Sequence, residues 1–147
     1  MNITVRGAGA ADFPAICELM RVDLGCSSLD VPAAMTRFAR IAAHPDWKVL
    51  VADADGQVAG FISVEWRELL HHRDGPYVEI MALAVSERVR RSGAGSLLVA
   101  GAEEWANSRG ATTVTLHSRL SRDGAHLFYE RQGYEKCAYY FRKVLIP

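Results

Sequence analysis

Glu79 is the one carboxylate inside an apolar stretch from Tyr77 to Val85, and the residues after that stretch are basic and glycine-rich. Arg88, Arg90 and Arg91 crowd ahead of Gly93-Ala94-Gly95, where a long amphipathic run begins. Glycine lets a backbone approach a ligand closely. The first amides of a helix lack helical partners, and the helix dipole favours negative charge beside them. Neighbouring arginines add charge-assisted contacts. The chemistry this combination suits is the holding of a phosphate or similar anion at a helix start. Glu79 either pairs with an arginine across the sheet or lines a cleft, where partial burial suits a carboxylate to accept a proton. Tyr129 is either a core aromatic or a hydroxyl able to donate a proton into that cleft. His117 and His126 are of a type that titrates near neutrality.

Two common phosphate sites do not match. The glycine fingerprint of a dinucleotide site is incomplete, and the following strand ends in His117 instead of an acid. No Gly-Lys-Ser/Thr follows the glycines, so a nucleotide P-loop is excluded. His71-His72 lies in a polar, turn-rich loop from Glu68 to Pro76 with no cysteine partner. Cys17, Cys26 and Cys137 are odd in number and have no metal-cluster spacing. No metal is therefore expected, and the thiols read as free in a reducing compartment.

The elements that must position these residues can be read from periodicity. Ile3 to Arg6 alternates as a short strand. Asp12, with Pro14 in the first turn, predicts a helix to about Leu24, and Asp30 with Pro32 predicts a second from Val31 to Ala43. The polar Gly25 to Asp30 connection is either a substrate-facing loop or a plain linker. Trp47 to Ala54 and Gln57 to Trp66 form a hairpin around Asp53-Ala54-Asp55-Gly56. On its second strand Val58, Gly60, Ile62, Val64 and Trp66 should share one face. Both faces are apolar, which predicts helices on both sides of the sheet. Tyr77 to Val85 follows as a strand, with Tyr77, Glu79, Met81, Leu83 and Val85 expected on one side. A helix from about Ala94 to Ser108 ends at Gly110. Thr112 to Leu116 is a strand, Asp123 to Gln132 a helix that buries Ala125, Phe128 and Tyr129, and Tyr134 to Cys137 and Tyr139 to Leu145 a final antiparallel pair.

The 147 residues predict a single domain spanning 1–147. Half are hydrophobic and 23% charged, as in globular proteins. Seventeen basic residues balance seventeen acidic ones, so nothing global favours nucleic acid or an anionic membrane. No apolar run reaches the length of a membrane span, and Asn2 to Asp12 lacks the pattern of a signal peptide. A soluble, cytoplasmic protein is expected.

In this order the elements resemble the GCN5-related N-acetyltransferase (GNAT) superfamily over nearly the whole chain. Arg90-Arg91-Ser92-Gly93-Ala94-Gly95 is similar to the family's Gln/Arg-x-x-Gly-x-Gly/Ala segment, preceded by Leu83-Ala84-Val85. The run from Ala125 to Tyr134 resembles its second cofactor-side segment. The resemblance implies an α/β acyl-CoA N-acyltransferase fold, with a mixed, mostly antiparallel sheet of about seven strands, splayed at the cofactor site and flanked by about four helices. It implies acetyl-CoA as cosubstrate. Its pyrophosphate would lie on the amides of Arg91, Ser92, Gly93, Ala94, Gly95 and Ser96 with Arg90 beside them. Its pantetheine arm would lie along Met81, Ala82, Leu83, Ala84 and Val85, with Phe128 also at the cofactor. Tyr129 matches the general acid and Glu79 a general base used by some members, directly or through water. The implied reaction is direct attack of an amine on the acetyl group, with an amide near Leu83 facing the oxyanion. Arg122 stands where the family often has an asparagine.

The Ile80 to Tyr134 region is similar to bacterial aminoglycoside 6'-N-acetyltransferases, which implies a small-molecule amine as acceptor, with peptide and protein amines as the alternative. A polycation needs an acidic cleft, and Asp23, Asp30, Glu65, Glu68 and Glu79 are its candidate acids. The family habit of pairing through C-terminal strands implies a homodimer, which fits the aromatic run Tyr139-Tyr140-Phe141.

Overall fold

A computed structural model describes residues 1–71 and 75–146. The chain forms two compact units, Met1–Leu116 and His117–Pro147. The second histidine of the His71-His72 pair lies outside the described residues.

The first unit runs β1 (Ile3–Gly7), α1 (Phe13–Val22), α2 (Val31–Ala43), β2 (Trp47–Ala54), β3 (Gln57–Arg67), β4 (Tyr77–Val85), α3 (Ala94–Ser108) and β5 (Thr113–Leu116). The strands make one sheet in the order β1-β2-β3-β4-β5, antiparallel throughout except for the parallel β4–β5 pair. Asp55 and Gly56 are both left-handed, at φ 51° and 88°, which is the geometry that closes a tight two-residue hairpin between β2 and β3. Asp30 caps α2 as expected, accepting from the Ala33 amide at 3.0 Å. Asp12 is the N-cap residue of α1, as expected, but its side chain makes no capping hydrogen bond to that helix. Its carboxylate takes the Gly9 amide at 2.7 Å and the Arg6 guanidinium at 2.8 Å, so a partner on β1 draws it away from the helix.

Helices do cover both faces. Ile16 and Leu19 of α1 pack with Val49, Val51, Phe61 and Ala84, and Phe38 and Ile41 of α2 join them. On the other face α3 comes so close that a Cβ on Gly60 would sit 3.2 Å from Leu98 Cδ1, and one on Gly101 3.1 Å from Leu50 and Val5. Ile62, Val64 and Leu98 are almost wholly buried, and each such side chain stabilises the fold by about 1.5–3 kcal/mol.

Two β-bulges correct the predicted faces. Between β2 and β3, Ala52 pairs with Gly60 and Asp53 with Val58, leaving Ala59 extra. Between β3 and β4, Ser63 pairs with Ala82 and Val64 with Ile80, leaving Met81 extra. Each extra residue shifts the two-residue alternation by one. Val58 therefore lies on the Phe61 face. Glu79 shares its face with Tyr77, Ala82 and Ala84, not with Leu83 and Val85.

In the second unit, α4 (Asp123–Arg131) is the one regular element among the described residues. Its Ala125, Phe128 and Tyr129 are half-buried. The two predicted C-terminal strands are absent from residues 134–146, so among the described residues the sheet has five strands instead of about seven, with four α-helices as expected. Tyr139, Tyr140, Phe141, Val144 and Leu145 are exposed. Aromatic and β-branched residues favour a strand when they fit a pleated, half-buried surface, whereas these side chains are exposed. Among the described residues, no helix is long and apolar enough to cross a membrane.

Candidate active site

β4 is the strand on which the site is built. Its ladder to β5 ends at the Ile80–Leu116 pair, while β4 itself runs on to Val85. Beyond Ile80 the strand presents backbone groups on that side without a ladder partner. The bulge at Met81 lies where the pairing stops, and Met81 is 54% exposed. Bulges bend a strand and end pairing in this way. An extended ligand arm carrying amides can occupy such an edge as an added strand would.

β4 leads through a 3-10 turn, Glu87–Val89, to the basic segment. Val89 is buried and anchors it, and Ser92 donates both its amide and its hydroxyl to the Val89 carbonyl. Arg91 has φ 66° and Gly93, the N-cap of α3, has φ 89°. Alternating left-handed residues turn successive amides toward one concave side, a shape that binds anions. The Leu97 amide donates to Gly93 C=O at 3.0 Å, so the amides of Ala94 and Gly95 precede the first helical bond. An open strand edge followed by an amide-lined turn fits a ligand with an extended amide arm and a diphosphate. Arg90 extends away to Asp23, Nη2 to Oδ1, at 2.9 Å.

Glu79 is 7% exposed and held on both oxygens. Arg67 Nη1 donates to Oε2 at 3.2 Å, and Thr115 Oγ1 donates to Oε1 at 3.5 Å. Glu65 stands directly opposite Glu79 in the ladder. Facing like charges are unfavourable, and Arg67 offsets them. The Arg67 guanidinium also lies 5.9 Å from the centre of the Tyr77 ring. Of the five candidate acids, the structure brings Glu65 and Glu79 together, ties Asp23 to Arg90 and gives Asp30 to the α2 cap.

In the second unit, Tyr129 packs edge-on against Phe128 and Tyr134, with ring centres 5.3 and 6.1 Å away. Burial pushes its phenol above the ordinary value, and the positive charge of Arg122 opposes that rise in part. His126 meets the Arg119 carbonyl at 2.8 Å, and His117 packs on the Tyr140 ring. Cys17 is buried, Cys26 and Cys137 are exposed, and all three are free thiols. Among the described residues, no group of three His, Cys, Asp or Glu is arranged to hold a metal.

The arginine partner expected across the sheet from Glu79 is Arg67, but sequence reasoning missed Thr115, which reaches Glu79 through strand register. It also missed the Met81 bulge, which leaves no mark in local composition.

The acetyltransferase (GNAT) family pattern matches residues 13–134. The aminoalkylphosphonate N-acetyltransferase of Salmonella typhimurium is 35% identical over 133 residues, covering 90% of this chain and 82% of that protein. A solved structure from Bacillus halodurans, described as a transcriptional regulator, superposes with a TM-score of 0.90 at 23% identity, covering 98% of this chain and all of that one. An aminoglycoside 6'-N-acetyltransferase from Acinetobacter baumannii gives a TM-score of 0.83 at 16% identity over 98% of this chain and 99% of its own. At those identities the two structures speak for the fold alone. Family match and fold together imply a coenzyme A site and acetyl transfer to an amine: the chain belongs to the acetyltransferase (GNAT) family.

Proposed function

We propose that this protein works in the cytoplasm as a single-domain enzyme that moves the acetyl group of acetyl-CoA to the primary amine of a small molecule, by direct attack with both substrates bound. The observation that carries this reading is the open edge of β4 beyond Ile80, running toward the left-handed turn at Arg91 and Gly93. In this reading the backbone from Met81 to Val85 binds the pantetheine arm, and the amides from Arg91 to Ser96 bind the diphosphate. Phe128 lies at the cofactor. Glu79, fixed by Arg67 and Thr115, takes the amine's proton through a water. An amide near Leu83 stabilises the oxyanion, and the Tyr129 phenol protonates the departing sulfur.

For the acceptor, the 35% identical relative favours an amine that also bears an anionic group, as an aminoalkylphosphonate does. The Arg67–Glu79 pair offers both signs of charge to such a molecule. An aminoglycoside is the second reading, favoured by Glu65 facing Glu79. The test is thiol release from acetyl-CoA with 2-aminoethylphosphonate, kanamycin and an unblocked peptide in parallel. Turnover of the first supports the phosphonate reading, and turnover of kanamycin alone replaces it with the second. Peptide acetylation alone moves the enzyme to protein amines. Coenzyme A binding without turnover of any amine leaves a binding module. The exposed aromatic tail supports a homodimer paired through residues 139–145, which a monomer mass in sedimentation equilibrium would remove.

A further inference from the structure

We propose that Asp23 and Arg90 form a charged strut that sets the shape of the diphosphate-binding turn. Arg90 then serves donor binding as a positioning residue, held by Asp23 and not touching the diphosphate. The proposal rests on the reading of the 91–96 turn as the coenzyme A site.

Asp23 is a poor choice for its position on local grounds. It is the C-cap of α1, where the helix dipole presents negative charge and favours a cation. Its side chain is only 8% exposed, so it is removed from water as well. The helix end fixes its place: the amides of Asp23 and Leu24 both donate to Leu19 C=O, and Cys26 N–H donates to Met20 C=O. What compensates the carboxylate is Arg90, at 2.9 Å.

The other end of the strut is the turn itself. Arg90 directly precedes Arg91, whose left-handed φ of 66° aims the following amides. An open cavity of about 310 Å³ is lined by Leu19, Val22 and Asp23 of α1 and its cap and by Ser86 and Arg88, just ahead of the turn. The Asp23–Arg90 pair spans the same two elements. If Arg90 swung toward a diphosphate, Asp23 would remain nearly buried at the negative end of a helix with its cation gone. Arg90 is itself 55% exposed, so the pair is only partly removed from water, but losing it leaves the nearly buried Asp23 carboxylate without its cation, which is unfavourable. The geometry therefore keeps Arg90 on Asp23 when the donor is bound. It also joins the cofactor turn to the start of the Gly25–Asp30 connection.

Coenzyme A binding, measured by calorimetry on the full chain, tests this without an acceptor. Asp23→Asn and Arg90→Gln should each weaken binding by roughly 5- to 20-fold, in the range of ordinary coupling between sites. The double variant should be no weaker than the worse single, because both remove one strut. Arg90→Lys should recover part of the loss. In turnover, Asp23→Asn should raise the KM for acetyl-CoA more than it lowers kcat. Arg90→Gln weakening binding while Asp23→Asn matches or exceeds wild type would overturn the proposal and make Arg90 a direct ligand. Additive losses in the double variant, or two silent single variants, would also overturn it. Should Asp23→Asn not fold, the swapped pair D23R/R90D takes its place. Tighter binding than R90D alone supports the strut, and equal binding refutes it. Failure of the wild type to bind coenzyme A would instead remove the reading of the turn on which the proposal rests.

Discussion

Arg67 reaches diagonally across the β3–β4 ladder to Glu79 Oε2 at 3.2 Å, while Thr115 Oγ1 donates to Oε1 at 3.5 Å. Contacts on both oxygens fix in place the carboxylate that the proposed mechanism uses as its base. Glu79→Gln keeps the shape and an acceptor for Arg67 but cannot take a proton. Turnover should fall by roughly 10²-fold, the lower end for a general base. The loss should be largest at low pH, where the acceptor amine is protonated, and should shrink as the amine deprotonates unaided. A pH–rate profile parallel to wild type would remove Glu79 from the proton path.

In the proposed mechanism Tyr129 governs the other end of the pH range. Burial disfavours the phenolate, so the phenol keeps its proton beyond the ordinary value of about 10. If this phenol is the general acid, the alkaline fall in kcat lies above that pH. Arg122 partly stabilises the phenolate, so Arg122→Gln should move the fall further upward. Tyr129→Phe should lower kcat by about 10²-fold while leaving coenzyme A binding nearly intact. Steady-state rates across alkaline pH decide the matter, and an alkaline limb unchanged in Tyr129→Phe assigns it to another group.

Much of this architecture was legible because the deciding chemistry is local. Pro32 and Asp30 mark the start of α2, Asp55-Gly56 the hairpin, and Gly93 the start of α3, each through backbone conformation or one nearby hydrogen bond. What could not be read is long-range. Ala59 and Met81 are ordinary strand residues, and only the partner strand's pairing makes them bulges. Glu79 was therefore visible as an unusual carboxylate, whereas its face and its partners Arg67 and Thr115 depend on register. Asp12 has a helix-capping side chain, yet Arg6 lies within reach and takes it. The C-terminal aromatics have strand-forming chemistry, but a strand also needs a neighbour.

The Asp12–Arg6 pair makes a stability prediction with a definite sign. Hydrogen bonding from Arg6, helped by the Gly9 amide, holds the Asp12 carboxyl below the ordinary carboxylate value despite its burial. A lowered folded value means that the ionised group adds stability above its unfolded value of about 3.9, and that this stability is lost as pH falls through the lower folded value. Asp12→Asn retains an acceptor for Gly9 and loses the charge. Thermal melts should show a constant gap in Tm between wild type and variant from neutral pH down to about 5, closing below about 4. A gap that persists into strong acid would mean that packing, not charge, makes Asp12 matter.

Gly93, the N-cap of α3, and Gly101, within it, separate binding from stability. Gly93 has φ 89° with nothing within 4 Å of an added Cβ, so Gly93→Ala causes no clash and is strained by conformation alone. That strain is about 1–2 kcal/mol, which the turn can relieve only by reorienting the amides of residues 94 and 95. Coenzyme A affinity should therefore drop by about tenfold or more. At Gly101 an added Cβ would meet Leu50 Cδ1 and Val5 Cγ1, both at 3.1 Å. Both are ends of apolar side chains that can shift, and alanine gains about 0.8–1 kcal/mol of helix propensity over glycine. Gly101→Ala should thus melt near the wild-type temperature and bind coenzyme A unchanged. Calorimetry and thermal melts on the two variants give the comparison. Wild-type affinity in Gly93→Ala would mean that the anion site is not built from these amides.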